Sequence, residues 1–397
     1  MPTPRAPTFL AALGIAACAG APPAALSPVA PSTASTATVA PAPQATASTA
    51  PLPAPPAPSP ALTVLLGGDV ELARATGRKL LADPSYDPFA TLRSFFARAD
   101  VRFVNLEGPL SDQHGVTMSP TNPLIFTGPP SGAEALARAG ISVVSTANNH
   151  AWDYGRAALL ETLANLDRAG VAHAGTGATL AAAWAPALVQ AGGWRIGFVA
   201  VTDVFNFGPL VEHEARDYLA RAEPQAVARA IAAARAAGAD VVVVSHHGGD
   251  EYADQPLART RSLFHAYVDA GADLVVGHHP HVVQGVEWYA GKPVLYSLGN
   301  VLMQMHSAHP WTGFGFFARV TFTRDGSTKL EACPHRILGL AAIPLAEDPH
   351  AAALEGVFFA HLREVDSWLG GGAARVGEAG SDGCAELTPE PVVHRRS

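Results

Sequence analysis

Gly271-Ala272-Asp273-Leu274-Val275-Val276-Gly277-His278-His279-Pro280-His281 is the stretch on which the fold turns. A helical segment ends at Asp269-Ala270-Gly271, a short β-branched run comes next, and that run passes directly into three His around a Pro. Glycine just beyond a helix end supplies the left-handed backbone that stops the helix, and the apolar run is too short for a buried helix. The same unit stands at Ala137-Arg138-Ala139-Gly140 before Ile141-Ser142-Val143-Val144, and at Ala236-Ala237-Gly238 before residues 241–244. Alternating helices and short apolar strands predict an α/β fold with a largely buried sheet. Further strands are expected at 63–66, 101–104, 195–201, 294–296 and 314–323, with turns at Gly192-Gly193 and Arg324-Asp325-Gly326.

The chemistry sits in the residues just past each strand. Residues 63–66 lead into Gly67-Gly68-Asp69, 101–104 into Asn105-Leu106-Glu107, and 141–145 into Asn148-Asn149-His150. Residues 241–244 lead into Ser245-His246-His247-Gly248-Gly249, and 274–276 into the His279-Pro280-His281 segment. Taken singly, Asp69 reads as a turn or helix cap and Glu107 as a solvated loop residue. Together, five strand ends bear oxygen and nitrogen donors suited to a hard or borderline metal, at the strand edge where open α/β sheets bind ligands. They predict one shared metal site.

These segments, in this order, resemble the metallophosphoesterase superfamily and more closely the CapA family of capsule and poly-γ-glutamate synthesis. The resemblance rests on Gly68-Asp69 with Arg74, Asn105-Leu106-Glu107, Asn148-Asn149-His150 with Asp153 and Gly155, His247 with Glu251-Tyr252, residues 277–284 with Glu287, and Tyr296-Ser297-Leu298-Gly299-Asn300. It spans about residues 62–301 and implies a four-layer α/β/β/α sandwich holding one or two divalent ions, with Mn, Fe or Zn as the suited metals. The ligands it implies are Asp69, Glu107, Asn149, His246 or His247, His279 and His281, with Glu107 or Asn149 bridging. His150 becomes a general acid oriented by Asp153, Arg74 a clamp on a phosphate or carboxylate oxygen or else a surface salt bridge, and Asn300 a support to the ligands. Two departures matter. Glu71 stands where the superfamily usually has the His of Asp-x-His, so one metal is bound weakly or not at all. In His246-His247-Gly248-Gly249-Asp250-Glu251-Tyr252, counting back from Glu251 selects His247, whereas matching the His before a ring selects His246.

The flanks read differently. Arg5, the apolar stretch 9–17 and Ile15-Ala16-Ala17-Cys18 resemble a lipoprotein signal with its lipobox, so residues 1–18 are expected to be a signal peptide and Cys18 the acylated residue. Residues 19–60 are almost wholly Ala, Pro, Ser and Thr and form an expected disordered tether. The folded domain is expected over 61–370 and a loose tail over 371–397 unless Cys384 pins it down. Cys333 and Cys384 then remain as a disulfide pair in an oxidising space or as two small core residues. A formal charge of −8 over 397 residues, with no basic run, gives no support to a nucleic-acid groove or a polybasic membrane patch. The expected setting is an exported lipoprotein facing the periplasm or cell exterior, anchored to membrane. Three functions compete: handling of an anionic polymer beside capsule-synthesis membrane subunits, hydrolysis of a phosphoester, and binding without metal.

Overall fold

Side-chain alternation sets the layers. Leu62, Val64 and Leu66 enter one core and Leu65 another. Val241 and Val243 part from Val242 and Val244 in the same way, as Leu274 and Val276 part from Val275. Strands with apolar side chains on both faces must be covered on both. The computed structural model describes residues 59–305 and 309–390; the signal segment with Cys18, the tether up to residue 58, His306 and residues 391–397 lie outside them.

The strands in chain order are β1 (Ala61–Val70), β2 (Val101–Leu106), β3 (Val143–Ser145), β4 (Ala172–Ala174), β5 (Ala187–Ala191), β6 (Trp194–Thr202), β7 (Val241–His247), β8 (Leu274–His278), β9 (Val286–Tyr289), β10 (Lys292–Leu295), β11 (Asn300–Leu302), β12 (Phe314–Thr323), β13 (Thr328–Leu338), β14 (Ala341–Pro344), β15 (Ala374–Ala379) and β16 (Ala385–Pro389). One sheet runs β15-β16-β13-β12-β1-β2-β3-β4, with β11 beside β1 and β14 beside β13; the other runs β5-β6-β7-β8-β10-β9. β1 to β4 are parallel, as are β6 to β8.

The inner faces share one core, in which Phe103 stacks on Phe198 at 5.4 Å between ring centroids. Leu80, Leu136 and Leu166, from helices Arg74–Ala82, Ser131–Arg138 and Gly155–Ala169, cover the outer face of the first sheet. Ile231, Phe264 and Tyr267, from Pro224–Ala236 and Ala258–Asp269, cover the second. The layers are therefore α/β/β/α. Gly140, Gly238 and Gly271, which end the recurrent helices, have φ of 77°, 83° and 104°.

The C-terminal segment differs from the loose tail expected over 371–397. β15 and β16 form a hairpin that pairs with β13 through Glu331–Glu386 and Ala332–Ala385. Cys384 is bonded to Cys333 with S–S 2.07 Å. Arg319 adds ion pairs to Glu331 at 2.8 Å and to Asp382 at 2.7 Å. Glycine and polar composition hid two short strands whose Ala374, Ala385 and Leu387 are buried.

Candidate metal centre

Parallel register lines up the polar strand ends. Asp69 lies opposite Asn105 of β2 and Asn300 of β11, and Asn105 opposite Ser145. In the second sheet His247 lies opposite Thr202 and His278. One amide lies between the two rows: Asn105 Nδ2 donates to Asp69 Oδ1 at 2.8 Å and stands 3.2 Å from His247 Nδ1, and the His279 N–H adds a hydrogen bond to Asp69 Oδ2 at 3.3 Å. Close approach needs Gly68, where a Cβ would fall 1.8 Å from Gly299 O.

Asp69, Glu107 and His247 bring donor atoms within 4.8 Å of one another, and so do Glu107, His279 and His281. Glu107 belongs to both groups. Its two carboxylate oxygens and His279 Nδ1 are buried without a hydrogen-bond partner. Such atoms are costly unless something satisfies them, and a divalent cation does so with this donor set. His281 stands 3.0 Å from Asn300 Oδ1 and 3.3 Å from Asp69 Oδ2 through Nδ1, and 3.6 Å from Glu107 Oε1 through Nε2. His279 and His281 hold φ of 99° and 58°, a backbone region that costs a non-glycine residue about 1–3 kcal/mol and concentrates at functional sites.

Charge is divided unevenly. Burial raises the Asp69 carboxyl, but the hydrogen bond and charge of His281 overcome it and hold Asp69 below its ordinary value. Burial, with the charges of Asp69, Glu71 and Glu251, pushes Glu107 well up against the pull of His281. Against burial, Glu107 and Asp69 push His281 up to about 9. Burial pushes His247 well down and His279 down to about 4, helped by neighbouring imidazoles. His247 and His279 are therefore neutral near pH 7, as metal ligation requires.

His150 borders this cluster. Its Nδ1 pairs with Asp153 Oδ2 at 2.9 Å, its Nε2 lies 3.9 Å from Glu107 Oε1, and its ring packs 4.2 Å from Phe126. Asp153 Oδ2 also accepts the Phe126 N–H at 2.9 Å, so the carboxylate that orients the imidazole is itself held. Asn149 Oδ1 accepts from His247 Nε2 at 2.8 Å, and Asn149 Nδ2 donates to Asn206 Oδ1 at 3.0 Å.

Two sequence expectations change. His246 alternates to the helix side of β7 and is 0% exposed, with Nδ1 3.3 Å from Tyr267 OH and Nε2 3.4 Å from Asp203 Oδ1. Of the two histidines only His247 reaches the cluster. Arg74 is turned into the protein: Nη1 donates to Glu71 Oε2 at 2.7 Å and Gln304 O at 3.3 Å, Nη2 to Pro123 O at 3.1 Å, and the group lies over Phe126, with only Nε left without a partner. Nor is it a surface pair. Glu71, in the place of the usual His, is bound to Arg74 and stays outside both donor groups. Asn105 as the link between the sheets was legible only as a strand-end polar residue, and Asn206 sits in a loop with no pattern to reveal it.

Four layers with Asp, Glu, Asn and His at parallel strand ends define an α/β/β/α sandwich with a candidate metal centre at one edge of its sheets. The profile described as "Bacterial capsule synthesis protein PGA_cap" matches residues 63–305, and the chain belongs to that family. It is 30% identical over 284 residues to the PGA biosynthesis protein CapA of Bacillus subtilis (strain 168), covering 71% of this chain and 73% of that one. To the capsule biosynthesis protein CapA of Bacillus anthracis it is 29% identical over 275 residues, 68% of this chain and 66% of that one. Among solved structures it is similar to the calcineurin-like phosphoesterase YfkN from Bacillus subtilis, with TM-score 0.46 and 14% identity over 77% of this chain and 98% of that one. No helix among the described residues is long and apolar enough to cross a membrane.

Proposed function

We propose that this chain is an exported, lipid-anchored envelope protein of poly-γ-glutamate or capsule synthesis that handles an anionic polymer at a metal-dependent site. The carrying observation is Glu107, shared by two donor groups and buried with both oxygens unsatisfied. Asp69, Glu107 and His247, with Asn149 beside them, would hold one divalent ion, and Glu107, His279 and His281 a second. Mn, Fe and Zn suit these oxygen and nitrogen donors. Such an ion supplies Lewis acidity and a bound water of lowered pKa. Asn105 keeps Asp69 and His247 in register, and Asp153 holds His150 with Nε2 facing the donors. Cys18, acylated, would tether the domain to the membrane with a second chain for stable anchoring, beside membrane subunits of capsule synthesis.

The His150–Asp153 pair supports a second reading, a metal-dependent phosphoesterase in which His150 protonates the leaving group. The test uses the full chain. Metal content and melting temperature are expected to fall together in His279→Ala and His281→Ala, because ligand binding and folding are linked. Poly-γ-glutamate should bind only the metal-loaded wild type, and turnover of an aryl phosphodiester would favour the second reading. Unchanged metal content in both variants would sink the site.

A further inference from the structure

A cavity of about 210 Å³ opens onto Asn149 and His150 at the edge of the donor cluster. Asn122 and Leu124 come from one loop and Asn206 and Phe207 from another, and Glu251 lines it as well. No Lys or Arg lines it, and Arg74 nearby is held by Glu71 and two carbonyls. Glu251 is exposed and pairs with no Lys or Arg among the described residues. Both amides use their oxygens within the protein: Asn122 Oδ1 accepts from Leu124 N at 3.0 Å, and Asn206 Oδ1 from Asn149 Nδ2 at 3.0 Å. Their Nδ2 groups have no protein partner among the described residues, so the pocket offers amide donors to a ligand. Leu124 is 65% exposed beside them.

These groups do not suit the interior of a polyanion. Every interior unit of an acidic polyamide carries a carboxylate, and no Lys or Arg lines the pocket to offset its repulsion by Glu251. Only the amino-terminal unit of such a chain brings an ammonium. We propose that the pocket selects that end: the ammonium on Glu251, the methylenes against Leu124 and Phe207, an amide carbonyl on the Asn122 and Asn206 donors, and the carboxylate toward the donor cluster. This rests on the polymer reading and adds to it which part of the polymer is recognised.

The experiment uses the full-length, metal-loaded chain and two probes, a γ-linked tri-glutamate with a free amine and the same peptide N-acetylated. Calorimetry at pH 7 is expected to show about 10-fold or more weaker binding of the acetylated peptide, the usual worth of a hydrogen bond to a charged group. Glu251→Gln, nearly isosteric at an exposed position and assayed at saturating metal, should erase that difference while leaving the melting temperature unchanged. Asn122→Ala should weaken both peptides alike. Equal or tighter binding of the acetylated peptide by the wild type, or unchanged discrimination in Glu251→Gln, overturns end selection and leaves the polymer reading standing. If neither peptide binds a chain that holds its metal, the polymer reading falls and this inference with it.

Discussion

Replacing Arg74 by Met in the metal-free protein is expected to destabilise it, and increasingly so as pH rises. The Arg74 and Glu71 side chains are 9% and 2% exposed, with Nη1 and Oε2 2.7 Å apart. Met preserves apolar contact with Phe126 but leaves Glu71 buried near Asp69 and Glu107 without its counter-charge. Breaking a buried pair from one side costs about 3–5 kcal/mol, which for a domain of this size lowers the melting temperature by roughly 6–10 °C. The pH dependence has a definite sign. Burial pushes Glu71 up to about 7 even with Arg74 opposing it. The native state therefore holds a proton that the unfolded chain has released, and native stability falls as pH rises from the ordinary carboxyl range to about 7. Without Arg74 the carboxyl moves higher still, so the fall continues beyond pH 7 and the penalty at pH 8 exceeds that at pH 5. Urea unfolding at pH 5, 6, 7 and 8 measures it, and adding Glu71→Gln should remove the excess slope. A loss under about 1 kcal/mol at every pH, accompanied by lost anion binding, would mean that the guanidinium serves a ligand and not Glu71.

Cys384→Ser opens a bond between residues 51 apart and is expected to cost about 3–4 kcal/mol, with faster amide exchange across β15 and β16; an unchanged melting temperature would count against it. Asp366, pushed up to about 8 by burial with only the Val286 N–H opposing, keeps a proton in the native state. Native stability should therefore fall as pH climbs from about 4 to 8, and Asp366→Asn should flatten that part of the melting-temperature curve and raise it at pH 8. Burial pushes His335 down to about 4, its hydrogen bond to Asn300 O opposing. The unfolded chain gains a proton the native state refuses, so stability drops as pH falls from 6.5 to about 4, and a His335→Gln chain that kept the full drop would contradict this.

Helix-terminating glycines and short β-branched runs were legible because local physics dictates them. Asp69, Glu107 and His279 were legible for a related reason: parallel strands deliver their carboxyl ends to one edge, so residues equivalent in the unit become neighbours in space. The choice between His246 and His247 needed more. Alternation separates them, but which face of β7 meets the first sheet is decided by packing between sheets, as Phe103 on Phe198 shows. Arg74 and Glu71 have helix-like i,i+3 spacing, yet the carbonyls of Pro123 and Gln304 that complete the cage are 49 and 230 residues from Arg74. The hairpin β15–β16 was hidden because its strands are short and flanked by glycine, and it gains its place through pairing with β13 and the Cys384 bond.

The donor cluster exists only when both sheets are in place. Asp69 and Glu107 come from the first sheet and His247, His279 and His281 from the second, and across the gap the protein itself supplies the Asn105 amide, the Asp69–His281 pair and the Asn149–His247 and His279–Asp69 hydrogen bonds. Both Glu107 oxygens and His279 Nδ1 are left without hydrogen bonds. Buried, unsatisfied oxygen opposes folding, and two histidines in left-handed backbone oppose it further. A sequence that keeps these costs at one edge, over a well-packed inter-sheet core, is organised to bind something there. A cation drawing on donors from both sheets would satisfy those atoms and also clamp the sheets together, so occupancy of the site and integrity of the sandwich should rise and fall together.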